Sequence, residues 1–176
     1  MNPRVLFPRL NELPKKANSP RELFVCGGTA LICLGWVNRQ TRDVDVILPE
    51  LDPLILQLAL QLATEQGLDP AWLNNAVSAL AKSLPTGWGT RTVSIFSGSH
   101  LEVKALGRMD LIRTKLYAAC DRIDDISDLV AMQVTPTELK EASEWVLVQD
   151  ASELWPQILD ECKAEILKRL NNKAKT

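Results

Sequence analysis

The sequence has a single histidine, His100, and its four cysteines, Cys26, Cys33, Cys120 and Cys162, include no CxxC pair. A zinc site draws on paired ligands at short spacing, so structural zinc is not expected. Each cysteine sits in an apolar stretch and reads as a buried free thiol of a reducing compartment. Long apolar runs are missing as well. The longest, Phe24 to Val37, is broken by Gly27, Gly28 and Gly35 and falls short of the roughly 18 residues that a membrane span needs. No membrane association is expected. The opening residues, Met1-Asn2-Pro3-Arg4, carry no apolar h-region, so no signal peptide is expected and the location reads as cytoplasmic. There is no excess of basic charge either. Twenty Lys and Arg stand against 22 Asp and Glu, a net charge of −2, with a pI near 5.5. That excludes broad electrostatic affinity for nucleic acid. No internal repeat or low-complexity segment is visible.

What remains is ordinary globular composition: 176 residues, 46% apolar and 24% charged. A chain of this length buries roughly 70% of its unfolded surface and needs no disulfide or metal to hold a core. Pro3, Pro8, Pro14 and Pro20 break residues 1–20 into an arm lying over the core, with Val5-Leu6-Phe7 available as a strand or short helix. Residues 21–107 read as an α/β core. Strands are expected near 23–26, 43–48, 90–96 and 101–106, the last two joined by the hairpin signal Ser97-Gly98-Ser99-His100. Helices are expected over 29–36, 53–65 (closed by Gly67) and 71–82, with a loop at 85–89. Residues 108–176 read as all helix: 109–122, 124–132, 137–148 and 152–170, then a polar tail. Thr135-Pro136-Thr137-Glu138 is a helix start. Strands and helices mixed early and helices segregated late predict an α/β (α+β) fold, a small mixed sheet followed by a helical part packed on it as one compact unit.

Two short motifs carry chemistry. Gly27-Gly28-Thr29 follows a predicted strand, and Asp43-Val44-Asp45 opens the next. Side chains two apart on a strand share a face, so Asp43 and Asp45 present two carboxylates together. Such a pair repels unless a proton or cation lies between. Mg²⁺ suits it, being commonly held by one or two carboxylates plus substrate phosphates. Gly27 and Gly28 let the backbone approach a phosphate, and Thr29 can cap the helix that follows.

At these residues, GGTALICLGWVNRQTRDVDVI from Gly27 to Ile47, the sequence resembles the nucleotidyltransferases of the DNA polymerase beta superfamily. The "GGTAL" start and the ending Arg39-x-Thr41-x-Asp43-x-Asp45 look like the bacterial small nucleotidyltransferases that include abortive-infection toxins. DLIRTKLYAACDRIDDISDL, Asp110 to Leu129, is similar to the helical motif of that group. The resemblance implies transfer of a nucleoside monophosphate from a nucleoside triphosphate to an acceptor hydroxyl, with two Mg²⁺ ions. The acceptor is a tRNA end, a protein or a small molecule, and an antitoxin protein is a possible partner. Asp43 and Asp45 would be metal ligands, and Gly27, Gly28 and Thr29 nucleotide-binding. Arg39 and Arg42 would touch phosphates or merely offset the acidic pair. A third carboxylate is expected on a later strand, and Glu102 is the candidate; the other reading is a strand glutamate paired with Lys104 or Arg91. Lys115 would act near the triphosphate, or else face solvent. Arg122, Asp125 and Asp128 are read as an ion-pair network holding Lys115. Trp88 is either core packing or a platform for a base, and His100 a surface residue. The competing reading is a catalytically degenerate module of this fold that binds a nucleotide or a partner protein.

Overall fold

The computed structural model describes residues 1–12 and 21–173. Pro14, Pro20 and the last three residues of the expected tail lie outside them. The chain divides into two compact units, Met1–Gly107 and Arg108–Thr176. Among the described residues no helix is long and apolar enough to cross a membrane.

The first unit is built on five strands: β1 (Arg21–Val25), β2 (Val44–Leu48), β3 (Leu73–Asn74), β4 (Val93–Ser97) and β5 (Leu101–Ala105). Their order across the sheet is β3-β2-β1-β5-β4. β1 pairs antiparallel with β2 and parallel with β5, while β4 and β5 form the expected hairpin. The sheet is therefore mixed, as the alternation of elements predicts. Alternation also sets its buried face: Leu23 and Val25, Val44 and Val46, and Leu101 and Val103 are all buried. Against that face pack α1 (Pro3–Leu10) and α3 (Pro53–Gln66), through Leu6, Phe7 and Leu10 and through Ile55, Ala59 and Leu62.

The opening residues are thus a helix built into the core. Asn2 accepts a hydrogen bond from the Arg4 amide at its start, and Pro3 occupies the first turn, where no amide is needed. The helix α3 begins where Asp52 accepts from the amides of Leu54 and Ile55 at 2.9 and 3.0 Å, and it ends at Gly67. Between them lies α2 (Gly27–Cys33), shorter than expected and starting two residues earlier. Its last turn is tied to α1 by the Arg4 guanidinium, which donates to Ile32 O at 2.7 Å.

The helix expected over 71–82 is not formed. Asp69 accepts from the Ala71 amide, and Asn74 accepts from the Ala76 amide. Asn75 accepts from Leu51 N and donates to Val46 O and Pro49 O. These short polar side chains compete for the backbone bonds a helix would use. Residues Leu73–Asn74 instead join β2 as the parallel strand β3, and only α4 (Leu80–Ser83) remains helical. Trp88 opens a single 3-10 turn, Trp88–Arg91. It is buried, meets the Phe24 ring edge-on at 5.4 Å and donates its indole N–H to Ala81 O. Trp88 is a packing residue.

The second unit contains α5 (Arg108–Ala119), α6 (Asp124–Ala131), α7 (Pro136–Leu147) and α8 (Trp155–Lys173). It buries Leu116, Leu129, Ala142, Val146 and Ile166. The start of α7 is a complete capping box. Glu138 N donates to Thr135 Oγ1, and Thr135 N donates to Glu138 Oε2. Glu138 also receives the Arg108 guanidinium at 2.6 and 3.1 Å, tying α7 to α5.

That double use sets the acid response of this unit. The Arg108 hydrogen bond, joined by those from Thr135 and opposed by partial burial, lowers the Glu138 carboxyl from 4.5 to about 2. A carboxylate depressed in the folded state stabilises the fold above its unfolded value and loses that contribution as pH falls toward the folded one. Glu138→Gln is expected to cost about 1–2 kcal/mol at pH 7. The gap between variant and parent should narrow steadily from pH 4.5 toward 2. Urea unfolding read by tryptophan fluorescence at several pH values checks this; a pH-independent gap would place the cost elsewhere.

Candidate functional site

The two motifs meet where β1 ends. The amide of Cys26 donates to the carbonyl of Asp45 at 3.2 Å, joining the glycine turn to β2. Asp43 stands just before β2 and Asp45 within it. Both are half-buried, while Val44 and Val46 are fully buried on the opposite face. The backbone at Asp43 is held by two hydroxyls. Thr29 Oγ1 and Thr41 Oγ1 both donate to its carbonyl oxygen, at 2.9 and 3.2 Å. The threonines are 1% and 7% exposed. Thr29 therefore lies inside α2 and anchors Asp43, rather than capping the helix as its place in the sequence suggests. The residue preceding α2, Cys26, makes no side-chain cap.

Both glycines are required by close approach. Gly27 has φ +65°, and a Cβ there would stand 2.8 Å from Asp45 Oδ2. A Cβ on Gly28 would stand 2.9 Å from Thr41 Oγ1 and 3.4 Å from a guanidinium nitrogen of Arg39. Glycine, acid, threonine and arginine of the motif are thus packed into one place. Beside them opens a cleft of about 290 Å³, lined by Arg42, Asp43, Asp45, Asp69, Trp72 and Asn74 among others. The last three are not singled out by any sequence motif. Asn74 reaches the cleft because β3 pairs with β2 in the register Asp45 to Asn74. The one local signal was the polar cluster Asp69 to Asn75, which reads equally well as a helix surface.

Glu102 is not brought to this place. In the sheet register Glu102 faces Glu22, whereas Asp45 bonds at the level of Cys26. Four residues separate these levels, about 13 Å along the strands, and β1 lies between β5 and β2. Glu102 instead sits 3.7 Å from Lys104, which also hydrogen-bonds Glu22. Glu22, helped by Glu102 and opposed by desolvation, holds the Lys104 ammonium above its ordinary value. Among the described residues no group of three metal-ligating side chains is found. The carboxylates that line the cleft are those of Asp43, Asp45 and Asp69. His100, beside the hairpin, is half-buried, and its backbone amide donates to Asn11.

In the second unit, Lys115 is buried and bonded to Asp125 at 2.6 Å and Asp128 at 2.7 Å. Arg122 adds a 3.2 Å contact to Asp125 from the surface. Lys115 does not face solvent; it is the centre of the ion-pair network that its spacing to Asp125 and Asp128 suggests. Of the four cysteines, Cys26 and Cys162 are buried, and Cys33 and Cys120 are partly exposed.

Three consequences can be measured as unfolding free energies. Gly27→Ala is expected to cost about 1–3 kcal/mol through its positive φ and the contact with Asp45, and Thr29→Val about 1 kcal/mol through one lost buried hydrogen bond. Lys115→Met leaves two buried carboxylates without their cation and is expected to cost about 3–5 kcal/mol. Adding Asp125→Asn and Asp128→Asn to it should recover much of that loss. No recovery would mean that Lys115 acts through packing alone.

No curated protein and no solved structure matches this chain. Residues 4–174 match the family described as a nucleotidyltransferase of unknown function (DUF6036). The match spans both compact units and takes in the glycine turn, the aspartate pair and Lys115 alike. The chain belongs to this family of nucleotidyltransferases of unknown function.

Proposed function

We propose that the chain transfers a nucleoside monophosphate from a nucleoside triphosphate to an acceptor hydroxyl, at the cleft beside Asp43 and Asp45. One observation carries this reading: a glycine turn and two half-buried carboxylates, separate in sequence, are packed against one another at the lip of an open cleft. The same motif supports placing the family with the DNA polymerase beta superfamily, and a toxin of a toxin–antitoxin pair is the biological role its resemblance favours.

The residues at the cleft fit Mg²⁺. Asp43 and Asp45 offer hard oxygen donors, and Mg²⁺ is commonly held by one or two carboxylates completed by substrate phosphates. The two ions that the resemblance implies would share this pair. When bound, Mg²⁺ supplies charge neutralisation for the triphosphate and orients it for in-line displacement. The protein's own contribution is positioning. Thr29 and Thr41 hold Asp43 in place, and the missing side chains at Gly27 and Gly28 keep Asp45, Thr41 and Arg39 close to the backbone. Arg42 brings a cation to the cleft wall. Glu102 has no part in this scheme, because its strand position sets it far along the sheet.

The test is incubation with each α-labelled nucleoside triphosphate, Mg²⁺ and cell extract, followed by identification of the labelled product. Asp43→Asn with Asp45→Asn is expected to abolish Mg²⁺-dependent nucleotide binding and transfer. The metal-free double variant should stay folded, within about 1 kcal/mol of the parent. Glu102→Gln should keep turnover within about twofold; a loss of tenfold or more, the scale of a missing ligand or base, would return it to the mechanism. The position of Glu102 also favours a second reading, a module that binds nucleotide without transferring it. Tight nucleotide binding with no labelled product from any nucleotide would select that reading.

A further inference from the structure

The corner where α7 passes into α8 combines two features. The first is apolar exposure. Leu147 is 44% exposed, Val148 75%, Leu154 64% and Ile158 37%. Leu154 precedes α8 and Ile158 lies in its first turn, and the Ile158 amide donates to Leu154 O at 3.0 Å. The second is charge of one sign. From Glu141 to Cys162 the chain has six acidic residues, Glu141, Glu144, Asp150, Glu153, Asp160 and Glu161, and no lysine or arginine. Two of them meet a nearby cation: Glu141 meets Arg113 at 2.6 Å, and Asp160 meets Lys163 at 2.9 Å. Glu144, Asp150 and Glu153 remain as an acidic rim beside the apolar residues.

The corner is also held firmly from beneath. The buried Trp155 donates its indole N–H to Val146 O at 2.9 Å, and its ring meets Tyr117 at 5.6 Å. Tyr117 in turn meets Trp145 at 6.2 Å. An exposed apolar strip on a rigid base loses little order when covered.

We propose that this α7–α8 corner docks a partner protein through a basic amphipathic helix, whose aliphatic side cover Val148, Leu154 and their neighbours while its lysines or arginines meet Glu144, Asp150 and Glu153. The charge selects this occupant. An acidic rim repels nucleic-acid phosphates and anionic lipid surfaces. A second copy placed by two-fold symmetry would set the same acidic rim against itself. A helix with cations flanking aliphatic anchors satisfies both features at once. This surface is independent of the cleft, and its test reads binding alone.

The test uses the full chain and three labelled 18-residue peptides, followed by fluorescence anisotropy: an amphipathic Leu/Lys helix, its Leu/Glu counterpart, and a Lys/Ser peptide of equal charge. The Leu/Lys peptide is expected to bind at about 10 μM or tighter, more weakly as salt rises, and the other two at least about tenfold more weakly. Val148→Asp with Leu154→Asp alters only exposed side chains and adds negative charge. Attraction by charge alone would then strengthen, so a loss of at least about tenfold identifies the apolar strip. Glu144→Gln with Glu153→Gln, a milder pair that guards against misfolding, should also weaken binding and flatten its salt dependence. The proposal is overturned by absence of Leu/Lys binding, by equal binding of the Lys/Ser peptide, or by unchanged binding in both variants. Micromolar self-association of the parent that Val148→Asp with Leu154→Asp abolishes would name a second copy as the occupant and overturn it as well.

Discussion

The antiparallel pairing of β1 with β2 is the constraint on which the candidate site depends. It brings the carbonyl of Asp45 to the amide of Cys26, and so sets the glycine turn against the acidic strand. Everything else at the cleft follows from that contact. Gly27 must lack a side chain because Asp45 Oδ2 occupies the space. Thr29, on the first turns of α2, can reach back to Asp43 O only because α2 starts where β1 stops. A hydroxyl from either side of the chain, Thr29 and Thr41, then converges on one carbonyl. Buried hydroxyls of this kind hold their acceptor as firmly as the surrounding packing allows, since leaving them unpaired is costly.

Charge is handled differently in the two units. In the first, carboxylates are kept half-buried at an open cleft, with arginines nearby at positions 39 and 42. In the second, Lys115 and its two aspartates are closed off from solvent. Their mutual attraction offsets the cost of taking three charges out of water, and removing one partner would leave a buried charge uncompensated. Arg108 with Glu138 ties α5 to α7 at a more exposed place. The helical unit is thus pinned by ions at both of its α5 contacts, while its α7–α8 corner is left apolar and acidic.

The family match extends the chemical reading beyond the two motifs, because it covers both units. The matched range, residues 4–174, includes the glycine turn, the aspartate pair and the buried Lys115. Three aspartates, Asp43, Asp45 and Asp69, line the cleft, and Glu102, the acidic residue on the later strand, is engaged with Lys104.

Much of this protein could be read from residue order. Alternation of Val44 and Val46 with Asp43 and Asp45 gives the strand and its two faces. Asp52-Pro53 and Gly67 bound α3, and Thr135-Pro136-Thr137-Glu138 starts α7, because caps and turns are local physics. The spacing of Lys115, Asp125 and Asp128 was likewise enough to suggest their network. What only the tertiary structure decided is non-local. Residues 71–82 hold a helix-like pattern, yet Asn74 and Asn75 find partners on β2 and at Leu51, and Leu73–Asn74 becomes a short strand at the cleft. Strand order places β1 between the strands of Asp45 and Glu102, a separation that no spacing along the chain encodes. Trp88 could be read as core packing or as a platform for a base, and it is buried against Phe24. In each case the outcome turns on which distant backbone group or ring is available, and that is settled only when the sheet is assembled.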